Sequence, residues 1–143
     1  YKTASFIPED SLRFALGVGT PEDIYRCYLM GWDMFDCVIP TREGRHGRLF
    51  AFKKNFKGFK KISKTAAALH KYPDFYSTKN ISNAAFARDF SPINPDSSLP
   101  ELRLYTKAFL HHLFRLKEPL GQQLASLNNL EFYNRLMREL RKI

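Results

Sequence analysis

Between residues 13 and 39 the apolar positions fall in two short blocks separated by an amphipathic stretch. Residues 13–18 are the first block, and their length and glycine-rich end predict a strand, with Gly17 and Gly19 leaving room for a ligand to approach the backbone. Thr20-Pro21-Glu22-Asp23 then has the form of a helix start: Thr20 as N-cap, Pro21 at the first helical position, Asp23 closing a capping box, and acids at the positive end of the helix dipole. Ile24, Cys27, Tyr28 and Met30 continue that helix, and Gly31 stops it. Residues 34–39, bounded by Gly31 and Pro40, are too short for a helix and rich in apolar and aromatic side chains, so they predict a second strand. Strand, helix and strand in succession make a parallel βαβ unit. Residues 1–11 show little periodicity and contain Pro8, which predicts a loop.

Further along, Pro40-Thr-Arg-Glu-Gly-Arg-His-Gly-Arg48 predicts a loop in which Arg42, Arg45 and Arg48 recur every three residues among glycines. Phe50, Phe52, Phe56 and Phe59 are then interleaved with Lys53, Lys54, Lys57, Lys60, Lys61 and Lys64. Residues 65–71 predict a short helical piece ended by Tyr72-Pro73. Residues 91–100 are a proline-rich loop, with Asn94 and Asp96 offering turn chemistry. From Glu101 onward the pattern is helical, with Leu102, Tyr105, Phe109, Leu110, Leu113 and Leu116 at helical spacing. Pro119-Leu-Gly121 predicts a break, followed by a short helix to Leu127 and another over residues 130–140. No internal repeat is present.

With 143 residues, 44% of them hydrophobic and 15% aromatic, the chain has the means to build a core. Its formal charge of +9 favours a polyanionic partner. From Arg42 to Lys64 there are three Arg and six Lys against Glu43 alone, a net of +8, so nearly all the excess charge lies in that stretch. Aromatics between lysines suit stacking on splayed bases; the same pattern also suits a helix or hairpin with its phenylalanines in the core and its lysines in water. There is no apolar run long enough to span a membrane. Cys27 and Cys37 lack the spacing of a disulfide framework and fit packing roles in a reducing cytoplasm.

One residue breaks the apolar pattern of the second strand. Asp36 within such a strand is expected to be buried, and a desolvated carboxylate is paired, hydrogen-bonded or functional. One reading is an ion pair with a neighbouring arginine. The other is a nucleophile at the carboxyl end of a barrel strand, beside guanidinium groups that hold a phosphate-bearing substrate.

Four blocks, in order, carry a family resemblance: Arg13-Phe-Ala-Leu-Gly-Val-Gly-Thr-Pro-Glu-Asp-Ile24, Gly31-Trp-Asp-Met-Phe-Asp-Cys-Val-Ile-Pro-Thr-Arg42, Tyr105-Thr-Lys-Ala-Phe-Leu-His-His-Leu113 and Asn129-Leu-Glu-Phe-Tyr-Asn-Arg-Leu-Met137. Together they resemble the tRNA-guanine transglycosylases of bacterial type. The resemblance implies an α/β fold: the last strands and helices of a (β/α)8 TIM barrel with an appended, mainly helical subdomain, in a carboxyl-terminal portion of a longer enzyme. Residues 1–48 would be the last two βα units, including the catalytic strand. Residues 49–80 would be a basic aromatic insertion, with 53–79 additional to most bacterial relatives, and residues 81–143 the helical subdomain and final barrel helix.

The implied activity is exchange of guanine at the tRNA wobble position for a 7-deazaguanine, the queuosine precursor or queuine, in the cytoplasm. Asp36 matches the nucleophile that forms a covalent aspartyl-tRNA intermediate, and Leu16 and Gly17 match the floor of the base pocket. Arg42 and Arg45, with Arg48, Lys53 and Lys54 extending the basic surface, are the candidate contacts to the tRNA anticodon loop. The family's general acid/base and its guanine-reading aspartate lie upstream of these blocks, so the sequence does not choose between deazaguanines. The alternative is a non-catalytic tRNA-binding or dimerisation module derived from the same fold.

Members of the family carry a structural zinc held by a C-x-C-x-x-C run and a histidine. Here the aligned positions are Ser97, Leu99, Leu102 and Asn128, which cannot supply the soft thiolate and imidazole set zinc requires. The expectation is therefore no zinc and no cofactor, with the loop held by burial of Leu99 and Leu102. His111 and His112 diverge on a helix, and His46 and His70 belong to other segments. Tyr105, Phe109 and His112, at i, i+4 and i+7 on one helix face, match the family's homodimer contact, and core packing explains the same spacing.

Overall fold

A computed structural model describes residues 3–59 and 73–143. The expected helical piece at 65–71 and the lysines at 60, 61 and 64 lie outside the described residues. Two strands, β1 (Phe14–Leu16) and β2 (Met34–Asp36), pair in parallel with Phe14 opposite Met34, Ala15 opposite Phe35 and Leu16 opposite Asp36. Parallel strands need a crossover, and α1 (Pro21–Leu29) supplies it. The Thr20 hydroxyl accepts from the Asp23 N–H at 3.2 Å and donates to the Asp23 carboxylate at 2.6 Å. The predicted cap therefore forms with Asp23 bound to the hydroxyl of Thr20. Arg13 fixes the unit's entrance: its guanidinium donates to the Ile7 and Gly31 carbonyls, and its N–H donates to the Asp33 carboxylate.

The described chain divides into two units. The first comprises residues 3–39, 57–59, 73–74 and 135–143. Besides the βαβ motif it holds Tyr25, fully buried, with the Phe59 ring centroid 5.0 Å from its own.

The second unit comprises residues 40–56 and 75–134. It contains α2 (Ile39–Arg45) from Pro40 onward, an antiparallel pair β3 (Arg48–Phe52) and β4 (Tyr76–Asn80), and α3 (Pro100–Leu104). It also contains α4 (Lys107–Arg115) and most of α5 (Pro119–Leu140), whose last residues belong to the first unit. Its core joins Leu49, Ile81, Ile93, Leu102, Leu110 and Leu113 to Leu124 and Ala125 of α5. Beside it, Phe50, Phe52 and Tyr76 pack around Phe132, with Phe52 and Phe132 ring centroids 4.5 Å apart, and Phe56 and Phe75 pack on Phe52. The phenylalanines at 50, 52, 56 and 59 are thus packing residues, as the hairpin reading of the Phe/Lys pattern has it.

Four expectations are corrected. The second strand ends at Asp36, and Ile39 opens α2 instead of closing β2. The arginine-rich segment 40–48 is a helix for most of its length, because a proline in the first turn costs no hydrogen bond and the Pro40 carbonyl is held by Asn129. Residues 101–116 are two helices. The break lies at Tyr105 and Thr106, whose backbones are extended; Tyr105 accepts from the Ile93 N–H at 2.9 Å, and the Thr106 hydroxyl caps α4 by accepting from the Phe109 N–H. Residues 119–140 form one helix, since Pro119 opens α5 and Asn128 and Asn129 sit inside it, satisfied by tertiary bonds.

Candidate functional site

In β1 and β2 side chains alternate between two faces. Ala15 is buried and Phe35 half-buried on one face; Phe14, Leu16, Met34 and Asp36 are on the other, exposed. Asp36 is therefore not buried: strand parity places it on the open face of a two-stranded sheet, and it forms no ion pair among the described residues. Leu16, 72% exposed, lies beside it in register at the carboxyl ends of both strands. The Gly17 N–H donates to the Asp36 carbonyl at 2.8 Å, which fixes the turn leaving β1 against the end of β2. Gly17 has φ +72°, a conformation that suits glycine, and a Cβ there would meet nothing within 4 Å. The structure thus brings the three candidate residues Leu16, Gly17 and Asp36 together around open space. Gly19 is no such opening, because a Cβ there would collide with the Cys37 side chain.

The basic candidates belong to the second unit. Arg42 and Arg45 lie three residues apart on α2, and Arg48 opens β3. Glu43 pairs with Arg42 at 3.4 Å and with Arg48 at 3.2 Å. Gly44 is buried where α2 meets α5, and a Cβ on it would stand 2.8 Å from the Ser126 backbone. Beyond β3, Lys53 is half-buried and Lys54 exposed, with the Lys53 N–H donating to the Phe75 carbonyl.

Asn129 is fully buried and uses its whole amide. Its oxygen accepts from the Phe50 N–H and from Asn128, and its nitrogen donates to the carbonyls of Pro40 and Arg48, both at 2.9 Å. Asn128 donates to the Phe50 carbonyl. One side chain on α5 thereby ties the first turn of α2 to the start of β3, the elements that carry the arginines. Two adjacent asparagines inside an apolar helical pattern were the available signal for this hub.

The four positions aligned with family zinc ligands form no donor set. Leu102 is fully buried in the core with Leu99 packed against it, and Asn128 is engaged with β3. Ser97 donates its hydroxyl to Glu131, which also accepts from the Ser98 N–H and hydroxyl, both at 2.6 Å. Burial opposes ionisation of Glu131, yet the bonds from Ser97 and Ser98 and the charge of Arg103 outweigh it, so its pKa is lowered. Among the described residues no three His, Cys, Asp or Glu side chains cluster as metal ligands.

On α4, His111 is buried with Nδ1 2.8 Å from the Ile81 carbonyl, whereas His112 is exposed. Tyr105 lies outside that helix, but its ring stacks on Phe109 at 5.1 Å, so two of the three dimer candidates meet. Lys107, nearly buried, donates to the Ser91 hydroxyl and pairs with Asp89 at 3.5 Å. Bonds from Ser91, opposed by burial and aided by Lys107, lower the Asp89 pKa. Burial raises the pKa of the Cys27 thiol, which suits packing better than reactivity. No helix of the described residues is long and apolar enough to cross a membrane.

A family model described as queuine tRNA-ribosyltransferase matches residues 1–143. The queuine tRNA-ribosyltransferase of Rhizobium meliloti is 41% identical over 140 residues, which is 98% of this chain and 31% of that protein. The protein of that name from Caulobacter vibrioides is 38% identical over 136 residues, covering 95% of this chain and 30% of its own. The one from Rickettsia typhi is 39% identical over 138 residues, or 96% and 32%. The chain therefore spans about a third of the length of the curated relatives it matches. With a family match that runs from its first residue to its last, the chain belongs to the queuine tRNA-ribosyltransferase family.

Proposed function

We propose that this chain carries the nucleophilic strand of a tRNA-guanine transglycosylase, with Asp36 as the attacking group. The observation that carries the reading is the side-by-side placement of Leu16 and Asp36 at the carboxyl ends of two parallel strands, on an exposed face, beside the open backbone of Gly17. A carboxylate so placed can reach the ribose C1′ of an extruded nucleotide while Leu16 and Gly17 support the base. Attack by an Asp36 oxygen on C1′ forms the C–O bond as the bond to the guanine N9 breaks, and a general acid supplied elsewhere in the enzyme protonates the leaving guanine. The incoming deazaguanine surrenders its N9 proton to that group, attacks C1′ and releases the carboxylate.

The exposed Phe14, Leu16 and Met34 favour a larger sheet, because parallel strands are ordinarily covered on both faces. The last strands of a (β/α)8 barrel, with the open face turned to its interior, meet that need. Arg42, Arg45, Arg48, Lys53 and Lys54 bind anticodon-loop phosphates in this reading. The insertion at 49–80 is closed at its base by the β3–β4 ladder, with Arg48 opposite Asn80. Tyr105, Phe109 and His112 form a homodimer contact, supported by the Tyr105–Phe109 stack and the exposure of His112. A tRNA substrate and two free thiols fit the cytoplasm.

The test is incorporation of labelled guanine into guanine-containing tRNA by the full-length protein. Exchange that Asp36→Asn abolishes without lowering Tm supports the reading. Exchange retained by that variant overturns the role of Asp36, and tRNA binding without any exchange in the wild type selects the non-catalytic module.

A further inference from the structure

We propose that Glu131 takes over the structural task at the position where the family resemblance implies a zinc ion, so that a carboxylate clamp locks the 94–99 loop to α5. Ser97 and Asn128 occupy two of the aligned ligand positions, and Glu131 follows Asn128 by one helical turn, on the same side of α5. Its two oxygens accept three hydrogen bonds from successive loop residues, Ser97 and Ser98. Ser97 is buried, and its hydroxyl also accepts from the Leu99 N–H at 3.0 Å. The Arg103 guanidinium donates to the Ser97 carbonyl, which ties the far side of the loop to α3. The loop is thus anchored on three sides without a metal: to α5 by hydrogen bonds to Glu131, to α3 by the hydrogen bond from Arg103, and to the core by packing of Leu99 and Leu102.

The donor chemistry excludes a shared arrangement. Zinc needs four thiolate, imidazole or carboxylate donors at about 2.0–2.3 Å. Two aligned positions are leucines in the core, the Asn128 nitrogen donates to Phe50, and the one carboxylate has serine hydroxyls and an N–H around it.

The experiment measures metal content and Tm of the purified full-length protein produced in zinc-supplemented medium. The expected result is no stoichiometric zinc at this subdomain, a Tm unmoved by a strong chelator, and a Tm lowered by roughly 2–4 °C in Glu131→Ala. If Glu131→Ala does not fold, Glu131→Gln replaces it. That variant keeps the shape and removes the charge, and its Tm is expected to fall by a smaller margin. One tightly held zinc per chain whose removal lowers Tm would overturn the proposal, and so would an unchanged Tm in the variant that folds. Neither readout involves tRNA, so failure here leaves the base-exchange reading intact and the converse also holds.

Discussion

Asn129 shows how much one buried side chain can organise. Asn129→Leu keeps the volume and removes four hydrogen bonds, leaving the Phe50 N–H and the Pro40 and Arg48 carbonyls without that partner. At about 1–3 kcal/mol for each buried group left unpaired, the substitution is expected to cost about 3–5 kcal/mol in denaturant unfolding. A loss below about 1 kcal/mol would show that water replaces the amide. Asp36 teaches the opposite lesson about burial. An aspartate among apolar neighbours reads as desolvated, but in a strand the neighbours at i±1 point to the other face, and the residues beside Asp36 on its own face are exposed. Its place in the second strand was legible in the sequence; that the strand ends there was not, because Ile39 opens α2, nor was its exposure, because the two strands leave one face uncovered.

At the scale of elements, local signals succeeded where a cap declared them and failed where tertiary contacts decided. Thr20-Pro21-Glu22-Asp23 gave the start of α1 to the residue, since the cap is made within four positions. The α2 helix was hidden by Pro40, Gly44 and Gly47, which read as loop chemistry. It forms because Asn129 holds its first turn and Gly44 allows α5 to approach. Gly44→Val is accordingly expected to push α2 off α5, costing about 1–3 kcal/mol. On the proposed role of Arg42 and Arg45 as phosphate contacts, it should also weaken tRNA binding several-fold at constant salt by displacing them. Unchanged affinity in a destabilised variant would remove those arginines from the interface.

The Asp89–Lys107 pair ties the segment before the proline-rich loop to the first turn of α4, and gives that junction a pH dependence. The folded pKa of Asp89 is lowered, so its contribution to stability is complete above the unfolded carboxylate range near about 4 and is lost as pH falls through the folded value. Tm is therefore expected to decline on acidification below about pH 4, and Asp89→Asn should flatten that decline. A variant with the wild-type slope would assign acid sensitivity to other carboxylates.

For the whole molecule, the sequence conveyed more about family than about architecture. The four motif blocks point to the family that the match over residues 1–143 establishes, whereas the division into two units that interleave along the chain left no composition boundary to read. The excess charge was legible as a number but not as a surface, because the phenylalanines between the lysines pack inward, Phe50 and Phe52 on Phe132, Phe56 on Phe52 and Phe59 on Tyr25. Leu16, Gly17 and Asp36 come from two sequence blocks and meet only through the register of a parallel pair.

The proposed role of Asp36 requires a covalent bond between its carboxylate and tRNA, and that bond can be trapped. The full-length protein is mixed with tRNA carrying guanine at the wobble position, denatured and run on a gel beside Asp36→Asn. A protein–tRNA band that requires Asp36 and disappears on addition of free guanine is the predicted result. A band of equal strength in Asp36→Asn, or base exchange proceeding with no Asp36-dependent adduct, would rule out Asp36 as the nucleophile.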